Sequence, residues 1–186
     1  MCGRFSLFSE KKIFSKFRVK IRKNYNISPN NEVLIINKDL APMKLKWGIK
    51  PNWKKTLIIN ARNETLMKKK TFTNFKKCVF VADGYFEWVR EDNQKVAFYH
   101  YLKNELMYFA GIYNDSSCCI VTNQSFDYLS KIHKRQPFLL KESQIKDWIS
   151  ENQNRISFNN IVYFHRVSNL VNRIWNNNPE LINEIK

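Results

Sequence analysis

The hydrophobic positions of this 186-residue chain fall mainly into short apolar runs that have the composition of β-strands. Strands are predicted where β-branched and aromatic residues alternate or cluster between turn residues. The predicted strands are 32–37, 43–49, 56–60, 78–83, 86–89, 95–102, 107–113 and 118–122. In 95–102 both alternating faces are largely apolar, which is typical of a strand buried on both sides or in a closed sheet. So many strands exclude a helical bundle.

Helical periodicity is confined to shorter segments. Four helices are predicted, in SEKKIFSKF, NETLMKKKTFTNF, SFDYLSKI and ESQIKDWIS, and the hydroxyl of Ser9 is the expected cap of the first. We expect these helices to cover the flanks of the sheet. With four glycines, no repeat and no low-complexity linker, the chain is predicted to form one α+β domain over 1–186. Its asparagine-rich tail after Arg173 is expected to be loosely packed.

The charge of the chain narrows the classes of partner. Lysine and arginine total 32 against 16 acidic residues, a net charge of +16, which attracts polyanions. Aromatic residues make up 15% of the chain and, among cations, can stack on bases as well as fill a core. Nucleic acid is therefore the predicted class of partner.

The cysteines indicate the compartment. Cys2, Cys78, Cys118 and Cys119 show no CxxC spacing, and charges interrupt the first residues before a secretory signal forms. We expect no disulfide and no metal site, with the last three cysteines serving as small core residues. No apolar run is long enough to span a membrane. A cytoplasmic protein, associated with the nucleoid if bacterial, is predicted.

The first five residues, MCGRF, place Cys2 directly behind the initiator methionine. Methionine is removed before a small second residue, so the mature chain is expected to begin with Cys2. Its free amine and thiol titrate near pH ~8 and ~8.5 in model peptides, so both nucleophiles are available near neutrality. On these five residues alone, an accidental second-position cysteine remains an alternative.

Two further stretches place polar groups at strand ends, INARNET and ADGYFEW. Asn60 is either a site residue or the N-cap of the following helix, with Arg62 solvated beside it. Asp83 and Gly84 predict a turn. Glu87 follows between two large aromatic residues, which remove water from its carboxyl and raise its pKa toward the range of general acid–base catalysis. On an exposed face it would be an ordinary solvated glutamate.

The three histidines differ in context. His133 lies in KIHKR, where cations disfavour its protonation, so a neutral imidazole able to accept a proton is expected. A surface histidine at a helix end is the alternative. His100 lies in an apolar strand and is expected to fill the core, and His165 has no evident partner.

Taken in order, the segments MCGRF, YNISP, LKWGIKPNW, IINARNET, VADGYFEW, CIVTNQS, IHKRQPFLL and HRVSNLVN resemble the SRAP (SOS response-associated peptidase) family. Proteins of that family crosslink to abasic sites in single-stranded DNA. The resemblance covers nearly the whole chain. It implies a mixed, barrel-like β-sheet core with short flanking helices and no cofactor. One departure is Gln136, where the family commonly has a larger apolar or basic residue.

The resemblance also implies roles for individual residues. Cys2 matches the crosslinking residue, and His133 matches the catalytic histidine. The residues matching other polar or DNA-contacting positions are Asn60 and Glu87 around the cysteine, Arg4, Arg62 and Arg135 at phosphates, and Pro29, Trp53, Trp88 and Thr122 along the DNA path.

The expected reaction uses both nucleophiles of Cys2. The amine condenses with the aldehyde of an abasic site, and the thiol closes a five-membered thiazolidine at high effective concentration. Asn60 would orient the amine, while Glu87 and His133 would move protons. Such an enzyme of DNA repair could add abasic-site lyase and self-processing peptidase activities. We expect a monomer whose replication or repair partners are unknown.

Two other functions fit parts of the pattern. Class II glutamine amidotransferases also begin Met-Cys-Gly, but they usually continue with isoleucine, whereas Arg4 stands here. The second alternative is a noncatalytic single-stranded-DNA-binding module, for which charge and aromatic residues would suffice. Such a module would bind intact and abasic DNA alike without a covalent product.

Overall fold

The computed structural model describes residues 2–92, 94–152 and 155–185. Its strands are β1 (Arg4–Leu7), β2 (Asn24–Ile27), β3 (Glu32–Ile36), β4 (Pro42–Trp47), β5 (Asn60–Arg62), β6 (Lys76–Ala82), β7 (Gly84–Glu91), β8 (Gln94–Tyr101), β9 (Met107–Tyr113), β10 (Ser117–Gln124), β11 (Arg135–Pro137), β12 (Leu139–Leu140) and β13 (Tyr163–Val167). Its α-helices are α1 (Glu10–Phe17), α2 (Asp127–Ser130) and α3 (Ile145–Ile149). Short 3₁₀ helices are Asn63–Lys68, Lys70–Phe72, Glu142–Gln144, Asn169–Asn172 and Pro179–Ile182.

Five strands close into a ring in the order β10–β4–β3–β6–β9 and back to β10. The β4–β10 pair is parallel and the other four pairs are antiparallel. The side chains of β6 and β9 are almost all buried, as expected for strands covered on both faces. Mixed sheets with few short helices confirm the predicted α+β class.

A second sheet has the order β13–β8–β7–β1–β2 and lies against the ring. Its strand β1 supplies Phe5, which is fully buried. The aromatic centroid of Phe5 lies 5.2 Å from that of Trp47, 6.3 Å from that of Phe80 and 6.1 Å from that of Phe109. These three residues belong to the closed ring of strands. Such tilted and edge-on aromatic contacts are favourable beyond the area they bury. They fix the first strand of the chain to the ring.

The junction between β6 and β7 joins the two sheets at Asp83. Its carboxylate accepts hydrogen bonds from the backbone N–H of Phe8 at 2.6 Å and of Ser9 at 2.9 Å, and from the Ser9 hydroxyl. Ser9 stands at the predicted N-cap of α1, but its side chain makes no cap hydrogen bond and binds Asp83 instead. At Gly84 a Cβ atom would fall 2.4 Å from the Tyr99 ring, so only glycine fits this crossing.

Two of the predicted elements differ in the structure. Segment 56–60 is a strand only from Asn60 onward, because the preceding residues pair solely through an isolated bridge between Ile49 and Ile58. The helix predicted in NETLMKKKTFTNF is two 3₁₀ helices. Its β-branched threonines disfavour a continuous α-helix.

Helix α3 packs against the ring, and hydrogen bonds hold the tail. In α3, the buried Trp148 donates its indole N–H to the carbonyl of Cys78 at 2.9 Å. The tail after Arg173 is held by hydrogen bonds, among them one from the backbone N–H of Tyr25 to Asn177 Oδ1 at 2.8 Å. Within the described ranges, no helix is both long and apolar enough to cross a membrane.

The Asp83 contacts generate a stability prediction. Asp83→Ala removes an acceptor that holds two backbone N–H groups and one hydroxyl. Hydrogen bonds to a charged acceptor are each worth about 1.5–3 kcal/mol, so we expect the free energy of unfolding to fall by at least about 2 kcal/mol. Ser9→Ala loses only one of these bonds and should cost less. Urea unfolding measures both, and equal losses would contradict this assignment.

Candidate functional site

Cys2 lies at the entrance to β1 and is fully buried. Its carbonyl accepts a hydrogen bond from Asn60 Nδ2 at 2.8 Å, and its thiol lies 3.6 Å from the carbonyl of Arg4. Asn60 is fixed in turn because β5 pairs in parallel with β10, where it stands opposite Ile120. Asn60 is therefore a strand residue, and the alternative of a helix N-cap is excluded. Its Oδ1 is buried without a hydrogen-bond partner among the described residues.

Glu87, on β7, lies close to Cys2. This strand pairs with β1, with Phe86 opposite Arg4, so the carboxyl one residue further lies beside the start of the chain. Only 3% of Glu87 is exposed, and burial raises its pKa from 4.5 to about 7. Burial, followed by the charge of Glu87, also raises the pKa of the Cys2 thiol. Both groups are thus poised to hold protons near neutrality.

His133 and Arg135 lie just before and at the start of β11, which pairs with β10, the strand that also pairs with β5. The Nδ1 atom of His133 accepts a hydrogen bond from the backbone N–H of Arg135 at 2.9 Å. Burial is the main cause that lowers the pKa of His133, so the imidazole is neutral at pH 7. The sequence predicted a neutral imidazole because of neighbouring cations. One of them, Arg135, does lower the pKa of His133, but less than burial does. The helix expected to end at His133 ends at Ser130.

Arg135 forms an ion pair with Glu64. Its guanidinium binds Glu64 through two hydrogen bonds, of 2.6 and 3.0 Å, which lower the pKa of Glu64. It also donates to the carbonyl of the buried Thr122 at 2.6 Å. Arg62, opposite Thr122 in the β5–β10 pair, is exposed. The structure therefore brings Asn60, Arg62, Thr122 and Arg135 together on three adjacent strands.

Arg4 and Trp88 meet the segment at 171–172. The guanidinium of Arg4 donates to Asn26 Oδ1 at 2.7 Å and to the carbonyl of Val171 at 3.0 Å, and its burial lowers its pKa. Trp88 donates its indole N–H to Asn172 Oδ1 at 2.8 Å. Both side chains are therefore fixed by internal hydrogen bonds beside the cysteine site.

Pro29 and Trp53 lie in loops. Pro29 is half-buried in the turn between β2 and β3. Trp53 is 70% exposed in the connection between β4 and β5. Gln136, the departure from the family pattern, is buried and accepts a hydrogen bond from the backbone N–H of Phe126 at 2.9 Å.

Glu64 and Asn26 also belong to this region, and neither was predicted from the sequence as a site residue. Both lie in segments that were already singled out, INARNET and YNISP. Their partners are 71 and 22 residues away in the chain. Local sequence patterns contain no signal for such contacts. The other histidines have internal roles: His100 is buried and stacked on Tyr85, and His165 Nε2 lies 2.8 Å from the carbonyl of Ile182.

The fold and site together define a class: an α+β protein whose first strand brings a buried cysteine to an asparagine and a carboxyl with a raised pKa. Within that class, the chain belongs to the SRAP family. The family model for the SOS response associated peptidase matches residues 1–174.

Relatives with assigned names support this membership. The Abasic site processing protein YoqW of Bacillus subtilis is 32% identical over an alignment of 221 residues, covering 98% of this chain and 99% of that protein. The Abasic site processing protein YedK of Escherichia coli is 26% identical and covers 87% of this chain and 84% of its own. A crystal structure of a protein from Bacteroides thetaiotaomicron shares the fold, with a TM-score of 0.84, 20% identity and full coverage of both chains.

The raised pKa of Glu87 predicts a pH-dependent stability. The folded state keeps a proton on Glu87 that the unfolded chain releases above its ordinary pKa of 4.5, so the stabilisation present below 4.5 is lost as the pH rises through about 7. Glu87→Gln does not titrate. Its stability should therefore gain on that of the parent by up to about 3 kcal/mol over this interval.

Urea unfolding at pH values below and above this interval measures the difference. Glu91→Gln removes an exposed carboxyl from the same strand and serves as the control. A parent–Glu87→Gln difference that stays constant with pH would show that Glu87 is ionised normally in the folded state.

Proposed function

We propose that this protein senses abasic sites in single-stranded DNA and forms a covalent thiazolidine crosslink to them through Cys2. The observation that supports this proposal most directly is the environment of Cys2. Asn60 donates a hydrogen bond to the carbonyl of Cys2 at 2.8 Å, and the charge of the buried Glu87, whose pKa is about 7, helps to raise the pKa of the Cys2 thiol. The names of the relatives YoqW and YedK agree with an abasic site as the target. The product would shield the lesion.

The proposed reaction begins with removal of Met1, because the nitrogen of Cys2 is otherwise an amide without nucleophilicity. The freed amine attacks the aldehyde carbon of the opened sugar, and water leaves to give an iminium ion. The sulfur of Cys2 then bonds to the same carbon, the C=N π electrons return to nitrogen, and the thiol proton is released. The ring closes quickly because both nucleophiles belong to one residue.

Glu87 and His133 supply the proton transfers in this scheme. A carboxyl with a pKa of about 7 is half protonated near neutrality, so it can protonate the departing hydroxyl and accept the thiol proton. The neutral imidazole of His133 would accept a proton from the sugar hydroxyl. Asn60 keeps the main chain of Cys2 in place. Run backwards, the same transfers would release the adduct.

The DNA path in this proposal follows the polar groups around the cysteine. The exposed Arg62 would contact phosphates, and the exposed Trp53 would stack on bases. Arg4 and Arg135 would use the N–H groups left over from their internal hydrogen bonds, with Pro29, Trp88 and Thr122 shaping the path. Abasic-site lyase and self-processing peptidase activities are part of the proposal, as is a monomer acting near the nucleoid in the cytoplasm.

The first prediction tests the bond-forming residue. Cys2→Ala should abolish the covalent product with single-stranded DNA that contains one abasic site, as seen on a denaturing gel. Cys2→Ser keeps the amine, so borohydride should still trap its Schiff base although no stable adduct forms. Cys78→Ala removes a buried cysteine of β6 and is the control. A stable adduct from protein that retains a residue ahead of Cys2 would overturn the thiazolidine mechanism.

The second prediction concerns the residues that move protons. Glu87→Gln and His133→Ala should slow crosslinking by about 10²- to 10⁴-fold yet reach the same product, because neither residue is consumed. Adduct release onto competitor DNA should slow as well. A time course over a range of pH measures both directions, with His165→Ala as the control. Rates equal to those of the parent at every pH would restrict the site to Cys2.

A further inference from the structure

A cleft of about 550 Å³ lies beyond β1, between the segment before β2 and the tail. Its charged lining comprises Arg22, Lys23 and Lys44 against the single acidic residue Glu32. Lys23 is partly neutralised by Glu10 at 3.6 Å. The cleft is therefore a cationic surface that the proposed reaction does not use.

Two large apolar side chains of the tail line this cleft while remaining exposed. Ile174 is 60% exposed and Trp175 is 74% exposed. A tryptophan so exposed contributes little to folding, because stabilisation follows the apolar area removed from water. Its flat ring beside cations is instead the arrangement that binds an unpaired base.

The loop that carries Trp175 is built around a buried polar side chain, Asn26, of which 2% is exposed. Asn26 Nδ2 lies 3.2, 3.1 and 3.0 Å from the carbonyls of Val171, Arg173 and Asn176, respectively. These three carbonyls wrap the backbone around one amide and leave the residues between Arg173 and Asn176 at the surface. The exposure of Trp175 is thus fixed by the structure.

The same loop is attached to the residues placed on the DNA path. Arg4 Nη1 donates to Asn26 Oδ1 at 2.7 Å, and Trp88 Nε1 donates to Asn172 Oδ1 at 2.8 Å. The cleft therefore shares Asn26, one of its lining residues, with the hydrogen bonds that hold Arg4. Trp175 itself lies one residue beyond the part of the chain that matches the family, residues 1–174.

We propose that this cleft binds the single-stranded DNA that flanks the lesion, with one base stacked on Trp175 and phosphates beside Arg22 and Lys44. This inference rests on the proposed function, because it takes single-stranded DNA as the partner. The cationic lining favours a nucleic acid over an apolar protein segment. The contact would add affinity without taking part in the reaction at Cys2.

The test uses single-stranded DNA without a lesion, so that binding is measured apart from crosslinking. In fluorescence anisotropy, Trp175→Ala should weaken binding of a long oligonucleotide by about 5-fold or more, the loss expected for one stacked base. The loss should shrink as the oligonucleotide is shortened. Trp175→Phe keeps an aromatic face and should restore most of the affinity. Phe14→Ala, which removes an exposed aromatic residue of α1, is the control.

The phosphate contacts have their own measurement. Arg22→Gln and Lys44→Gln should each reduce the slope of log affinity against log salt concentration by up to about 0.7. Lys146→Gln removes an exposed lysine from α3, which does not line the cleft, and should leave the slope unchanged. Smaller slopes in the two cleft variants alone would support the inference.

The outcomes separate this inference from the proposed function. Unchanged affinity in Trp175→Ala together with unchanged slopes in Arg22→Gln and Lys44→Gln would overturn the cleft as a DNA site. Crosslinking by the parent protein would be unaffected by that result. Conversely, a parent that binds long lesion-free DNA through the cleft but gives no covalent product would refute the proposed reaction alone.

Discussion

The packing of β1 between two sheets is the constraint on which the rest of the structure depends. The first residues of most domains are poorly ordered unless they are tied down. Here β1 pairs with β2 on one side and β7 on the other, while Phe5 is buried against aromatic rings of the closed ring of strands. Chemistry that needs the amine of residue 2 requires this immobilisation, because proximity gains nothing if the nucleophile moves freely.

Burial then decides the electrostatics of the site. The charged forms of Cys2 and Glu87 are both disfavoured because each group loses hydration, and the charge of Glu87 further disfavours the thiolate of Cys2. The arginines nearby do not relieve this, because Arg135 is neutralised by Glu64 and Arg4 is bound to Asn26 and backbone carbonyls. The result is a protonated thiol beside a carboxyl that is half protonated near neutrality, which suits proton transfer.

The ring of strands was predictable because burial on both faces leaves continuous apolar runs, as in β6 and β9. Strands β1, β2, β11 and β12 were missed because each has at most four residues, and β13 was missed although it is longer. The raised pKa of Glu87 followed from its aromatic neighbours. The contacts Asn60–Cys2 and Glu64–Arg135 join residues 58 and 71 positions apart, so only the folded topology brings them together.

Asn26 shows how such topology links separate parts of the molecule. Its buried side-chain amide accepts from Arg4 through Oδ1 and places Nδ2 within hydrogen-bond distance of the carbonyls of Val171, Arg173 and Asn176, so the first strand and the Trp175 loop share a single hydrogen-bonded group. Asn26 holds this loop through the loop's main-chain carbonyls. The exposed side chains at 174 and 175 can therefore vary without altering the hydrogen bonds of Asn26. The side chains of this loop could therefore change in evolution while the geometry around Cys2 stays fixed.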